Sequence, residues 1–213
     1  IYWAGQQLFY HSDTDSVNFL ELSGQLSSIW VIRWLDDIGL PQFKDKFQLN
    51  MVDGRVLDHL SVNQVINNLG VKSDLHYCSL RRSVELLRCL DYEAEYFIRR
   101  EELPSPTNIL KDTGNDRTSN SSSTEPHPND QTSSPSIDPK NVIFWSNHRV
   151  MQWLHSIDLS EYSNSLRGSG VNGALLLLEP RFTSETFSNL LNIPKSKNLL
   201  RKHLKIKFNE LLE

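Results

Sequence analysis

Cysteine is scarce: Cys78 and Cys89 are the two in a chain of 213 residues. Both fall in one stretch of helical periodicity, where their separation of 11 positions puts them ~16 Å apart along the axis. A disulfide needs Cα atoms within ~7 Å, so this spacing excludes a bridge and points to reduced, packed thiols in a reducing compartment. No apolar run approaches the ~20 residues that span a bilayer. No basic, apolar leader with a cleavage pattern follows Ile1, so no signal peptide is expected in this sequence. Catalytic signatures are missing too. The seven histidines form no His-Glu-x-x-His, and there is no Gly-x-Ser-x-Gly, P-loop or Cys-x-x-Cys. His148 and His155 lack further ligands and read as capping or surface histidines. The adjacent carboxylates Asp36-Asp37 and Glu101-Glu102 point to different sides of a helix and read as solvated charge. The expectation is no enzyme, no catalytic residue, no metal and no cofactor. A net charge of −4 supplies no general attraction for nucleic acid.

What is present divides the chain. Apolar residues, at 38%, suffice for one or two modest cores but not one large one. Residues 103–140 are rich in Ser and Pro, from Leu103-Pro104-Ser105-Pro106 to Ser136-Ile137-Asp138-Pro139. They hold too few apolar groups to offset the entropy of ordering, and read as a disordered linker. At roughly 5–6 Å × √n its root-mean-square span is ~30–35 Å, which leaves open whether the flanks touch. Residues 1–23 carry Tyr2, Trp3, Phe9 and Tyr10 with no Lys or Arg. They read as a remnant of a preceding region or as an arm docked on the first flank.

The two flanks repeat each other. Val31-Ile32-Arg33-Trp34-Leu35-Asp36-Asp37-Ile38-Gly39-Leu40 matches Val150-Met151-Gln152-Trp153-Leu154-His155-Ser156-Ile157-Asp158-Leu159 at an offset of 119. The offset also pairs Phe47 with Leu166, Val52 with Val171, and Gly54 with Gly173. Later it drifts, pairing Leu75, Leu80, Val84 and Leu87 with Leu199, Leu204, Phe208 and Leu211. A repeat of about 70 residues is too long for a solenoid unit, so each copy should be a domain. Trp30, Val31, Trp34, Leu35 and Ile38 mark one helical face. Ser61 and Thr183 stand where fourth helices need caps. The last helix is the longest in each copy, starting near Ser73 and near Pro194. No segment alternates like a strand. The fold class is all-α: two five-helix bundles, at 24–102 and 141–213.

Five short helices, an early Trp-Leu-x-x-Ile-x-Leu, a mid-domain Val-x-Gly and a long last helix resemble SAM domains. Trp145-Ser146-Asn147-His148-Arg149-Val150-Met151-Gln152-Trp153-Leu154 and Leu166-Arg167-Gly168-Ser169-Gly170-Val171-Asn172-Gly173 resemble the last SAM domain of liprins. Val31 through Phe43, with Val52-Asp53-Gly54-Arg55, resembles the middle SAM domain in its liprin-β form. The resemblance implies a non-catalytic scaffold in cell-adhesion or presynaptic assembly, in the cytoplasm at cell–cell or cell–matrix junctions or the presynaptic zone. It implies liprin-α-type SAM regions as partners, and more loosely LAR-type receptor phosphatases, with self-association as a further outcome and no membrane insertion.

Charge supplies candidate surfaces. The first copy carries 10 Lys and Arg against 12 Asp and Glu, the second 9 against 6. The basic excess collects around the last helix. Lys195, Lys197, Arg201 and Lys202 form a candidate basic end-helix surface, because cations beside a helix N-terminus add to its positive end. Asp36, Asp37, Asp45, Asp53 and Asp58 form a candidate acidic mid-loop surface in the first copy. A plain solvated helix accounts for the basic run equally well. Trp34 and Trp153 read as core. Trp145 either staples the domain entry or anchors an interface. Some SAM domains bind RNA hairpins through a basic end helix; that alternative needs several phosphate contacts, and this chain is acidic overall.

Overall fold

The computed structural model describes residues 21–93 and 142–213. The linker 103–140 and all but the last three residues of the 1–23 segment lie outside the described residues, as do the readings made of them. Among the described residues every regular element is helical.

The Ser27 hydroxyl accepts from Trp30 N–H at 3.2 Å and starts α1 (Ser28–Asp37). Val31, Trp34 and Leu35 share its buried face. The helix ends where Gly39 turns left-handed (φ 80°). Leu40 N–H then reaches back to the Leu35 carbonyl at 2.8 Å, which satisfies the last turn. A 3-10 turn at Pro41–Phe43, with proline's preset φ at its start, feeds α2 (Lys44–Leu49). Asp53 caps α3 (Gly54–Asp58) by accepting from Val56 N–H at 2.9 Å. Helix α4 spans 62–68 and is π-wound over Gln64–Asn68. Ser61 and Gln64 cap it reciprocally: the Ser61 hydroxyl accepts from Gln64 N–H, and the Gln64 side chain from Ser61 N–H. The long α5 (Asp74–Cys89) closes the domain.

The second domain repeats the plan. A 3-10 turn at Val142–Phe144 leads to α6 (Asn147–Ser156), capped by Ser146. Then come α7 (Ser160–Leu166, 3-10 wound), α8 (Gly173–Leu178), α9 (Ser184–Leu190) and α10 (Asn198–Leu212). Thr183 caps α9 as its position predicts. Helix α10 starts at Asn198, not near Pro194. The Pro194 carbonyl accepts Lys197 N–H in a turn, and the Arg201 guanidinium clasps the Ile193 carbonyl at 2.6 Å. The equivalence reaches single backbone bonds. Gly54 N–H meets the Leu26 carbonyl at 2.8 Å, and Gly173 N–H meets that of Trp145 at 2.7 Å.

Each domain has its own core. Trp34, Leu35, Phe47, Leu69 and Leu87 anchor the first; Leu154, Leu166, Phe187, Leu191 and Leu204 anchor the second. Each such side chain contributes roughly 1.5–3 kcal/mol by burial. Trp34 is fully buried, whereas Trp153 is half-buried and stacks on Phe187 with centroids 6.3 Å apart. Cys78 and Cys89 are both free thiols, in keeping with their spacing.

Candidate functional site

The two domains pack on each other, α5 against α8 and α1 against α6. The seam is built from the mid region of the second domain, Gly168–Asn172, and the end helix α5 of the first. Asn172 sits at its centre and is 2% exposed. Its side-chain oxygen accepts from Leu175 N–H at 3.0 Å to cap α8. That cap fixes the amide's orientation and turns Nδ2 into the first domain. There Nδ2 shares its two protons among the Ile38 carbonyl (3.2 Å) and the hydroxyls of Ser79 and Ser83 (3.1 Å each). Ser79 Oγ donates to the Gly170 carbonyl at 2.5 Å, and Gly170 N–H to that of Gly39 at 3.0 Å. Gln42 Nε2 donates to the Gly168 carbonyl at 2.8 Å. Asn147 Nδ2 holds this mid region from behind through the carbonyls of Leu166 and Val171.

Backbones this close exclude side chains. A Cβ on Gly170 would lie 2.9 Å from Leu40 Cδ2 and 3.0 Å from Ser79. Leu75 and Cys78 of the first domain pack against the second domain's core. His76 meets Phe43 edge-on at 5.6 Å; burial pulls its imidazole below its ordinary value, with the Gly168 carbonyl opposing. Glu179, 6% exposed, takes Arg181 Nε at 2.7 Å and, across the seam, Arg82 Nε at 3.2 Å. The hydrogen bond from Arg181, with charge from Arg82 added, holds its carboxyl down to about 2 against the cost of burial. One side of the seam opens as a groove of about 870 Å³ between α1 and α6, walled by Arg33, Asp36, His148, His155 and Arg167. Its mixed charge favours no single class of ligand.

The candidate acids do not make one face. Asp36 pairs with Lys44. Asp37 borders a small cavity at the seam, beside Trp145 and Asn172. Asp45 is exposed in the first turn of α2. Asp53 is the cap of α3. Asp58 is drawn inward: Arg88 Nε meets its carboxylate at 2.5 Å, and the buried Tyr92 hydroxyl donates to it. Burial, with Asp58 beside it, pushes the Tyr92 hydroxyl up.

The basic set divides too. Lys195 and Lys202 are exposed. Lys197 donates to the Tyr162 hydroxyl at 2.9 Å. Arg201 is spent inside the domain on Ile193, Glu185 and Asn189. Charge reasoning missed Leu199, 85% exposed in the first turn of α10. Its signal was the repeat, since its counterpart Leu75 is half-buried in the seam. At Trp145 the carbonyl accepts Gly173 N–H at the domain entry. Its ring lines the seam cavity under the Arg149 guanidinium, 5.3 Å away. Among the described residues no group of three His, Cys, Asp or Glu could hold a metal ion, and no helix is long and apolar enough to cross a membrane.

Two five-helix bundles, each closed by its longest helix and joined end helix to mid region, define a tandem of SAM domains. The SAM domain (sterile alpha motif) family matches residues 25–88 and again 142–212, and the chain belongs to that family. It is similar to mouse Liprin-beta-1, 44% identical over 189 residues, which cover 89% of this chain and 16% of that protein. It is similar to human Kazrin, 32% identical over 195 residues, 91% of this chain and 21% of that protein. Human Liprin-alpha-1 is 33% identical over 190 residues, 89% of this chain and 13% of its own length. The chain is a liprin-β-like SAM region, spanning about a fifth or less of these relatives' length.

Proposed function

We propose that this tandem binds liprin-α-type SAM regions through the free end of α10, as part of cytoplasmic scaffolds at cell junctions or the presynaptic zone. One observation carries the reading. Leu199 is 85% exposed and stands between the exposed Lys195 and Lys202, an apolar anchor in a basic rim. Such a face suits an apolar recess bordered by carboxylates, with the lysines steering encounter and the leucine supplying burial. LAR-type phosphatases enter only as more distant members of the same assemblies. RNA would use the same face, but Lys197, Arg201 and Lys207 are engaged within the domain, which leaves few cations for phosphates.

The test is the solution mass and small-angle scattering of the chain alone and mixed with the SAM region of human Liprin-alpha-1. A complex is expected, weakened ~10-fold or more by Lys195→Glu with Lys202→Glu, a loss of ~1.4 kcal/mol, with helicity unchanged. No complex, or one indifferent to the double reversal, removes the reading.

A further inference from the structure

Among the described residues, the buried side-chain polar atom that finds no partner in the protein is the indole Nε1 of Trp34. Trp34 is fully buried on α1. Its counterpart in the repeat, Trp153, is half-buried, so the repeat itself does not impose the demand. A buried donor without an acceptor bears the whole cost of its desolvation, and such groups are rare in folded proteins.

Trp34 borders the small cavity at the seam, which has a volume of about 30 Å³. The first domain walls it with Trp34, Asp37 and Ser83, and the second with Phe144, Trp145 and Ala174. Ser83 brings a second donor. Its oxygen accepts from Asn172 Nδ2 at 3.1 Å, and nothing among the described residues takes its own proton. Asp37 stands three residues beyond Trp34 on the same helix. Its carboxylate has lone pairs for several donors.

These groups define what fits between them. Two donors and a carboxylate call for a neutral group that accepts twice and donates once. A cation would meet the two donors, and an anion would meet Asp37. A methyl group would leave the indole unpaired. One water needs about 10–15 Å³ of such space, so the cavity takes one or two waters and nothing larger.

We propose that the seam holds a structural water bound to Trp34. It accepts from the indole N–H and from the Ser83 hydroxyl, and it donates to Asp37. Three hydrogen bonds are the usual complement of a buried water. All three partners belong to the first domain, while Phe144, Trp145 and Ala174 of the second domain complete the walls. The first domain thus supplies the polar half of this site and the second the apolar half.

Two measurements on the whole chain test it. In nuclear magnetic resonance the Trp34 indole proton should show a cross-relaxation contact to water. Its opposite sign in the rotating frame separates it from proton exchange. No contact, or exchange alone, overturns the proposal. The second measurement fills the cavity through Ala174→Val, at a position 3% exposed in the first turn of α8. Methyl groups added to a dry apolar space gain burial. Methyl groups that expel a bonded water strand its donors. The urea midpoint should therefore fall for Ala174→Val in the unaltered chain, and fall much less or rise in a Trp34→Phe background, where no indole donor is stranded. A midpoint that rises in the unaltered chain, or that moves equally in both backgrounds, overturns the proposal. If Trp34→Phe does not fold, the contact to water decides alone. Neither measurement contains a liprin-α partner, so failure of the proposed function would move neither readout.

Discussion

Asn172 does two jobs with one amide: Oδ1 caps α8 and Nδ2 holds the first domain. The jobs separate by substitution. Asn172→Asp keeps an acceptor for the cap but places a carboxylate against the Ile38 carbonyl; Asn172→Ala loses both functions. Leaving buried partners unsatisfied costs ~1–3 kcal/mol. Urea denaturation should show both variants less stable: alanine loses the cap, worth ~1 kcal/mol, and aspartate keeps the cap but buries a charge against a carbonyl. Glu179 supplies a pH dependence. Its carboxyl titrates at about 2 in the fold against 4.5 ordinarily. A depressed carboxyl contributes stability that is fully present above its unfolded value and is lost as pH falls through its folded one. Acid weakening of the fold should therefore run from about pH 4.5 toward 2, and Glu179→Gln should flatten that limb in denaturation curves taken across this range. Neither residue stood out in the sequence. Asn and Glu are surface letters by default, and only the closing of the seam buries them.

Among the elements, the last helix of each copy shows how local and tertiary forces divide. The apolar stripe Leu80, Val84, Leu87 and its counterpart Leu204, Phe208, Leu211 was legible from period alone, because one face of a 3.6-residue helix must meet a core. What the opposite face does was not legible. On α5 it meets the second domain; on α10 it leaves Leu199 in solvent. The end of α5 is tied down by Tyr92, fully buried at φ 58°, whose hydroxyl joins Arg88 on the Asp58 carboxylate. Tyr92→Phe removes one donor from a charged acceptor and should cost ~1.5–3 kcal/mol, read by chemical denaturation followed through the tryptophans. Asp58 was a candidate for an acidic surface on composition. It faces inward, where Arg88 and the buried Tyr92 hydroxyl both reach it, and nothing in neighbouring letters announces a partner 30 positions away.

At the scale of the molecule, the long linker left contact between the domains undecided, and the seam decides it. Its opening can be followed chemically. Burial is the largest cause pushing both the Cys78 and the Cys89 thiols up, so both should alkylate slowly near neutral pH. Cys78 touches Arg181 and the second domain's core; Cys89 ends α5. Asn172→Asp should therefore speed iodoacetamide labelling of Cys78 and leave Cys89 unchanged, measured by mass spectrometry of the labelled peptides. Equal acceleration of both would mean that the first domain unfolds instead of parting from the second.

By itself the sequence determined two all-α domains, their repeat, the caps at Ser61 and Thr183, and the core stripes. Each of these is written within a few residues by hydrogen-bond geometry and helical period. Only the tertiary structure decided which polar groups are spent and which are free. Lys195 and Arg201 are both cations at one helix end, yet one is in water and the other clasps a carbonyl. Gly170 and Met51 share a backbone conformation, yet one is pressed against Leu40 and Ser79 while the other is open to solvent. A residue's letter carries its chemistry but not its neighbour, and in this tandem the neighbour decides whether a surface is closed within the chain or offered to another.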